Sequence, residues 1–202
     1  MPNLKLRSDS RIFITGKTGS GKTYLAQHLC KGVRRLVVLD PKGSLGGWGL
    51  DPWAPETREA LLKGEPARLR ISADIHDDPD SLWDEGMQAV YAAGNCTLYI
   101  DEIYAIVPPG QRPTQSLQAI WTRGREFNIG AWACSQRPTW CPLVVMSEAE
   151  SYFMFRLTLL DDRRRMAAFM GEGVLTRITD KHGFFYMDAE SESPLYVKEL
   201  GG

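Results

Sequence analysis

Eight residues near the start of the chain, Gly16-Lys17-Thr18-Gly19-Ser20-Gly21-Lys22-Thr23, constrain it more than any others. They follow an apolar triplet, Ile12-Phe13-Ile14, and precede Tyr24-Leu25-Ala26-Gln27-His28-Leu29, which reads as helix. The spacing G-x-x-x-x-G-K-[ST] between a strand and a helix builds a loop that cradles phosphates. Gly16, Gly19 and Gly21 let the backbone turn so that successive N–H groups face an anion. The helix that begins there adds its unpaired N–H groups and its dipole. Lys22 is placed to reach the β- and γ-phosphates of a nucleoside triphosphate, and Thr23 to hold Mg²⁺ through its hydroxyl. The expected nucleotide-binding set is Gly16, Lys17, Thr18, Gly19, Ser20, Gly21, Lys22, Thr23 and Tyr24, with ATP and Mg²⁺ as cofactors. A glycine-rich turn matching by chance is the alternative, and the flanking strand and helix count against it.

A second acidic site follows about 80 residues later, in Thr97-Leu98-Tyr99-Ile100-Asp101-Glu102. A buried strand ending in two acids suits Asp101 to orient Mg²⁺ and its waters. It suits Glu102 to polarise the water that attacks the γ-phosphate. A further strand, Ala131-Trp132-Ala133-Cys134, runs into Ser135-Gln136-Arg137-Pro138. Gln136, at the end of a strand beside Asp101, is positioned to contact the γ-phosphate or the attacking water and so to sense intact ATP.

Between these sites the chain alternates strand and helix. The first helix is expected over residues 21–31, with Leu25 and Leu29 toward the sheet and His28 on another face. Leu36-Val37-Val38-Leu39 is a continuous apolar run, as in a parallel strand buried on both faces. It ends in Asp40-Pro41-Lys42-Gly43, on the ligand-binding edge of such a sheet; Asp40 lies near the nucleotide or a neighbouring subunit, or serves the turn. Residues 44–55 are glycine-rich and carry Trp48 and Trp53, which cover the sheet edge or stack on a partner. Helix is expected over 57–63 and strand over 68–71. The acidic stretch with Asp74, His76, Asp77, Asp78 and Asp80 reads as a solvated loop capping the next helix, with a metal site as the alternative. That helix spans 81–93 and buries Leu82, Met87 and Val90. Residues 107–113 form a proline-rich loop, and a helix with Leu117, Ile120 and Trp121 occupies 114–126. Asp161 or Asp162 is expected to cap a helix, with Arg163, Arg164 and Arg165 on a solvated face or a subunit contact. Residues 183–187 read as an edge strand and 195–197 as a second short strand.

At 202 residues the chain suits a single α/β domain with a substantial core. A net charge of −1 announces no global basic field, so a DNA partner has to be argued from a local patch or a ring of subunits. Cys30, Cys96, Cys134 and Cys141 form no C-x-x-C pair and no zinc spacing with histidine, which points to free thiols in a reducing compartment. No apolar run approaches the roughly 18 residues of a membrane span, and the N-terminus lacks the apolar core of a signal peptide. The expected location is the cytoplasm.

Gly124-Arg125-Glu126-Phe127-Asn128-Ile129-Gly130, leading to Ala133-Cys134-Ser135-Gln136-Arg137-Pro138, resembles the HerA/FtsK superfamily of P-loop DNA motors. The resemblance extends through Leu39-Asp40-Pro41-Lys42-Gly43, through residues 147–157 ending in Phe155-Arg156-Leu157, and through Asp161-Asp162-Arg163. It covers about residues 11–187. It implies an α/β P-loop NTPase fold of the additional-strand type, with a mainly parallel sheet flanked by helices. The strand of Asp101 would then lie between the phosphate-loop strand and the next. It also implies a homo-oligomeric ring, a hexamer by preference, with ATP at subunit interfaces and an arginine supplied by a neighbour. Arg125 is the favoured arginine and Arg123 the alternative, with Arg137 and Arg156 behind them. Lys22, Glu102, Gln136 and Arg125 thus make up the implied catalytic set.

Neither a membrane segment, nor a C-terminal DNA-reading domain, nor an N-terminal β-barrel is evident, so the expectation is a bare motor over residues 1–202. Motors of this size resemble the genome-packaging ATPases of membrane-containing viruses and phages, which pump double-stranded DNA into a preformed capsid. Capsid or portal-vertex proteins are then the further partners, and host cytoplasm or the virion the location. DNA-facing loops are expected at 107–114, with Gln111 and Arg112, and at 42–53. Competing readings are a nucleotide-gated assembly ATPase, another HerA/FtsK-type translocase serving conjugation or DNA processing, and a small-molecule kinase. The paired acids Asp101 and Glu102 count against the kinase.

Overall fold

Each apolar run flanked by turn residues becomes a strand, and each amphipathic stretch between them a helix lying on the sheet. In the computed structural model, which describes residues 6–73 and 78–198, the order is β1 (Arg11–Thr15), α1 (Lys22–Cys30), β2 (Arg35–Leu39), β3 (Asp51–Pro52), α2 (Pro55–Leu62), β4 (Ala67–Ile71), α3 (Pro79–Ala93) and β5 (Thr97–Asp101). There follow α4 (Ile103–Ile106), α5 (Gln115–Arg123), β6 (Gly130–Ser135), α6 (Leu143–Ser147), β7 (Ser151–Phe155), α7 (Leu160–Met170), β8 (Phe184–Asp188) and β9 (Leu195–Val197). The strands form one sheet in the order β3-β4-β2-β5-β6-β1-β7-β8-β9, parallel except for the β7–β8 and β8–β9 pairings. Among the described residues no helix is long and apolar enough to cross a membrane.

Both faces of the sheet are covered, so its central strands are buried at every position. Alternation sorts the side chains. Phe13, Val37, Leu98, Ile100, Ala131 and Met154 face the layer that holds Trp83, Met87 and Val90 of α3 and Leu117, Ile120 and Trp121 of α5. Ile12, Ile14, Val38, Tyr99, Trp132 and Phe153 face the other layer with Leu25, Ala26 and Cys30 of α1. Leu25 is buried against the sheet as expected, whereas Leu29 is only half-buried. Asp78 caps α3 by accepting the N–H of Ser81 at 3.5 Å. Asp74, His76 and Asp77 lie outside the described residues.

Several expectations are corrected. The β5 strand does lie between β1 and β2, but β6 is inserted between β5 and β1. The helix expected over 114–126 stops at Arg123, capped at its start by Thr114, and continues as a 3₁₀ turn over Gly124–Phe127. Strand β8 is not an edge: it sits between β7 and β9, burying Phe184 and Tyr186. Neither Asp161 nor Asp162 caps α7, whose N-cap is Leu159 with no side-chain hydrogen bond. Asp162 instead lies buried in the first turn, where it accepts hydrogen bonds from Arg137 Nε at 2.8 Å and from Thr139 Oγ1 at 2.7 Å. Of the three following arginines, Arg163 donates to the Leu175 carbonyl and Arg165 lies over the Phe169 ring, so only Arg164 is exposed, where it pairs with Asp161 at 3.4 Å.

All four cysteines are free and buried. Burial pushes the thiols of Cys30, Cys96 and Cys141 up to about 12 and that of Cys134 higher still. The reactive thiolate is therefore suppressed at neutral pH. Titration with a chromogenic thiol reagent should find no rapidly reacting cysteine in the native protein and four once it is unfolded.

Candidate phosphate-binding and hydrolytic site

Parallel pairing in register brings the ends of the central strands to one edge. Thr15 pairs with Ser135, and Asp101 with Cys134. The loop after β1 is stitched to its neighbours there: Gly16 N–H donates to the Ser135 carbonyl at 3.2 Å and Lys17 N–H to the Arg156 carbonyl at 2.9 Å. Gly19 and Gly21 adopt φ of 74° and 110°, in the left-handed region that glycine tolerates. At Gly16 (φ 154°) a β-carbon would sit 2.5 Å from Phe155 Cβ and 2.8 Å from Ser20 Oγ, so the bend has no room for a side chain.

This loop is shaped as an anion cradle. Ser20 Oγ is fully buried and has no hydrogen-bond partner among the described residues. Lys22 is 7% exposed, and its Nζ donates to the Lys17 carbonyl at 3.0 Å. Burial lowers its pKa, opposed by the negative charges of Glu102 and Asp101. An ammonium held this way gains by meeting a phosphate. Thr23 and Tyr24 are exposed at the start of α1.

The two acids differ in their surroundings. Asp101 is 6% exposed, burial raises its pKa, and Tyr99 Oη donates to its Oδ1 at 2.8 Å. The Tyr99 phenol is itself pushed well up by burial, so it stays a donor. Glu102 is 2% exposed, with φ 84° and ψ 74°. Its Oε1 accepts the Gln136 N–H at 2.9 Å and its Oε2 meets Lys42 Nζ at 2.8 Å. The side chain of Gln136 reaches the cradle, accepting from Thr18 Oγ1 at 2.8 Å. Lys22, Asp101, Glu102 and Gln136 thus converge at this edge. No cluster of three or more His, Cys, Asp or Glu able to hold a metal occurs among the described residues. The oxygen donors Thr23 and Asp101 suit Mg²⁺ shared with phosphates and waters, which is how that ion is usually bound.

Other expected residues lie elsewhere. Arg123 and Arg125 stand just before β6 begins, at the opposite edge of the sheet; Arg123 lies over the Tyr91 ring and Arg125 pairs with Glu150 at 2.9 Å. Within the chain they do not reach the cradle. Arg137 is held by Asp162 and stacks on Trp140. Asp40 serves the turn, accepting the N–H groups of Ser44 and Leu45 at 3.1 and 2.8 Å. Trp48 stacks on Tyr99 with ring centroids 5.4 Å apart, a covering role. Gln111 and Arg112 are exposed. Sequence reasoning missed Tyr99, whose two-residue spacing from Asp101 puts both on one strand face. It also missed Lys42 as a partner of Glu102, a contact no local spacing signals. A cleft of about 710 Å³ lies at the opposite edge among Arg7, Arg34, Arg35, Asn95 and Asn128, whereas the cleft beside Thr18, Gln136 and Asp162 is about 360 Å³. A cradle that grips phosphates through N–H groups on an open shelf needs no deep cavity.

Because Gly16 has no room for a β-carbon, Gly16→Ala should weaken binding of an ATP analogue about tenfold or more, a loss of about 1.4 kcal/mol. Calorimetric titration against the unaltered protein checks this.

No protein-family model matches the chain. It is 33% identical over 181 residues to the DNA packaging ATPase P9 of Enterobacteria phage PRD1, an alignment covering 84% of this chain and 72% of P9. Its fold matches that of the genome packaging NTPase B204 from Sulfolobus turreted icosahedral virus 2, in complex with AMPPCP, with a TM-score of 0.79 at 17% identity over 97% of this chain and 100% of the other. VirB4 of Thermoanaerobacter pseudethanolicus shares the fold at a TM-score of 0.65 and 10% identity, covering 98% of this chain and 93% of VirB4. With a third of its residues shared with P9 over most of both chains, this protein belongs to the family of viral DNA packaging ATPases that P9 represents.

Proposed function

We propose that this protein hydrolyses ATP to move double-stranded DNA into a preformed viral or phage capsid, acting as a single motor domain in a homo-oligomeric ring. The observation that carries this reading is the convergence of Lys22, Asp101, Glu102 and Gln136 at one sheet edge. Membership of the P9 family supports the packaging role.

In this reading Lys22 leaves the Lys17 carbonyl for the β- and γ-phosphates, while Gly16 to Tyr24 grip the polyphosphate. Thr23 and Asp101 would hold Mg²⁺, which neutralises charge on the phosphates when bound. Tyr99 keeps one oxygen of Asp101 occupied and so orients the other. Glu102 accepts a proton from water as the water oxygen bonds to the γ-phosphorus and the bond to the β-phosphate oxygen breaks; the proton then passes to solvent. Gln136 touches both the cradle and Glu102, and so links an intact γ-phosphate to the base. Arg125, or Arg123, projects from the edge opposite the cradle and would serve the site of a neighbouring subunit. Capsid or portal proteins are the docking partners, in the host cytoplasm or on the virion.

A net charge of −1 favours a second reading, a nucleotide-gated assembly ATPase that moves no DNA. Steady-state phosphate release with and without long duplex DNA separates the two. The motor predicts stimulation by DNA, loss of turnover and nucleotide binding in Lys22→Ala, and in Glu102→Gln retained ATP binding with hydrolysis reduced about 100-fold or more. Near-normal hydrolysis by Glu102→Gln would remove Glu102 as the base.

A further inference from the structure

Beyond β7 the chain brings a side chain to the phosphate loop that the hydrolytic reading leaves unused. Strand β8 runs antiparallel to β7, so its first residue, Phe184, pairs with Phe155 at the end of β7, on the cradle edge. His182 stands two residues earlier and lies against the loop, its Nδ1 3.4 Å from the Ser20 carbonyl oxygen. At Gly21 a β-carbon would be 3.2 Å from Phe155 Cε1 and 3.5 Å from His182 Nδ1, so both rings flank that turn. A carbonyl only accepts, so Nδ1 carries the proton in this contact. His182 is otherwise exposed.

The C-terminal hairpin holds the ring there. Strand β9 pairs with β8, and its Tyr196 Oη donates at 2.5 Å to Asp180 Oδ2, just ahead of His182. Gly183, immediately after His182, is packed so closely that a β-carbon would collide with Tyr196 Oη. Phe184 is buried, with its ring centroid 5.0 Å from that of Phe155. The backbone is thus anchored on both sides of His182 while the side chain faces outward. A ring presented on a fixed backbone gives up little freedom when it meets a ligand.

The order of the strands decides which part of a nucleotide reaches this ring. In the run β5-β6-β1-β7-β8, Glu102 and Gln136 leave the sheet on one flank of the phosphate loop and His182 approaches from the other. A triphosphate whose γ-phosphate points at Glu102 and Gln136 directs its opposite end, the nucleoside, toward β7 and β8. We propose that His182 is the nucleobase contact, its imidazole face stacking on the base of the bound triphosphate. This rests on the phosphate-binding and hydrolytic reading above. A flat side chain accepts any base, because each base has a π-face. The site would then take nucleoside triphosphates as a class and hold them more tightly for having a base.

The test is calorimetric titration of the full chain, in Mg²⁺, with non-hydrolysable analogues of ATP and GTP and with inorganic tripolyphosphate, which carries phosphates without a base. Wild type is compared with His182→Ala, His182→Phe and His182→Gln. Stacking predicts that His182→Ala weakens both analogues about tenfold, equivalent to about 1.4 kcal/mol, and leaves tripolyphosphate unchanged. His182→Phe keeps a flat ring and should retain most of the affinity for the analogues. His182→Gln keeps a donor for the Ser20 carbonyl without a ring and should behave like His182→Ala. Equal losses for the analogues and tripolyphosphate would overturn the base contact alone, as would a loss confined to the ATP analogue. Recovery by His182→Gln but not by His182→Phe would do the same, making His182 a brace of the loop. Wild type that binds none of the three ligands would overturn the phosphate-loop reading and the base contact with it.

Discussion

Strand β6 pairs in parallel with β1 on one side and β5 on the other, and that register sets the height of everything at the cradle edge. Thr15 is level with Ser135 and Asp101 with Cys134, so the turn that opens the phosphate loop, the acidic pair and Gln136 leave the sheet side by side. A slip by one residue in either pairing would turn alternate side chains to the wrong face. It would also break the hydrogen bond from Gly16 to Ser135 and that from Gln136 to Glu102. The apolar layers on both faces make such a slip costly, because each strand alternates between the α1 layer and the α3–α5 layer. Packing far from the site thus fixes which side chains stand side by side there.

Within that frame the site gathers like and unlike charges at low exposure. Lys22, Asp101 and Glu102 are all nearly buried, a combination that water would otherwise dissolve. Each is tied to a protein partner, Lys22 to a carbonyl, Asp101 to Tyr99 and Glu102 to Lys42 and Gln136. Such ties suit groups that change partners when a phosphate arrives, since the cradle is already shaped and only side chains have to move. Asp162 acts in the same spirit one layer out, holding Arg137 and Thr139 and so the turn that follows Gln136.

Much of this was legible in the sequence. The phosphate loop could be read because its glycines and lysine are contiguous, and the acidic strand because an apolar run ending in two acids has one natural place in such a sheet. Contacts made across the sheet could not be read. Lys42 lies 60 residues from Glu102, and only the adjacency of β2 and β5 joins them. Asp162 resembled a helix cap because acids at a helix start usually are, yet tertiary contact with Arg137 claims it. Strand β8 looked like an edge because β9 is short, but Leu195 to Val197 suffices to cover it. Arg123 and Arg125 fall at the far edge, where within the chain they meet the Tyr91 ring and Glu150.

The cleft of about 710 Å³ at the opposite edge is roomier than the one of about 360 Å³ beside Thr18 and Gln136, and the functional reading turns on which edge receives the nucleotide. A crystal structure with Mg²⁺ and a non-hydrolysable ATP analogue decides this directly. The account predicts the γ-phosphate against Lys22 Nζ, with that amine gone from the Lys17 carbonyl, and Gln136 and Glu102 facing the outer side of the phosphate. A nucleotide seated among Arg34, Arg35 and Asn95, with Lys22 still on its own loop, would contradict it.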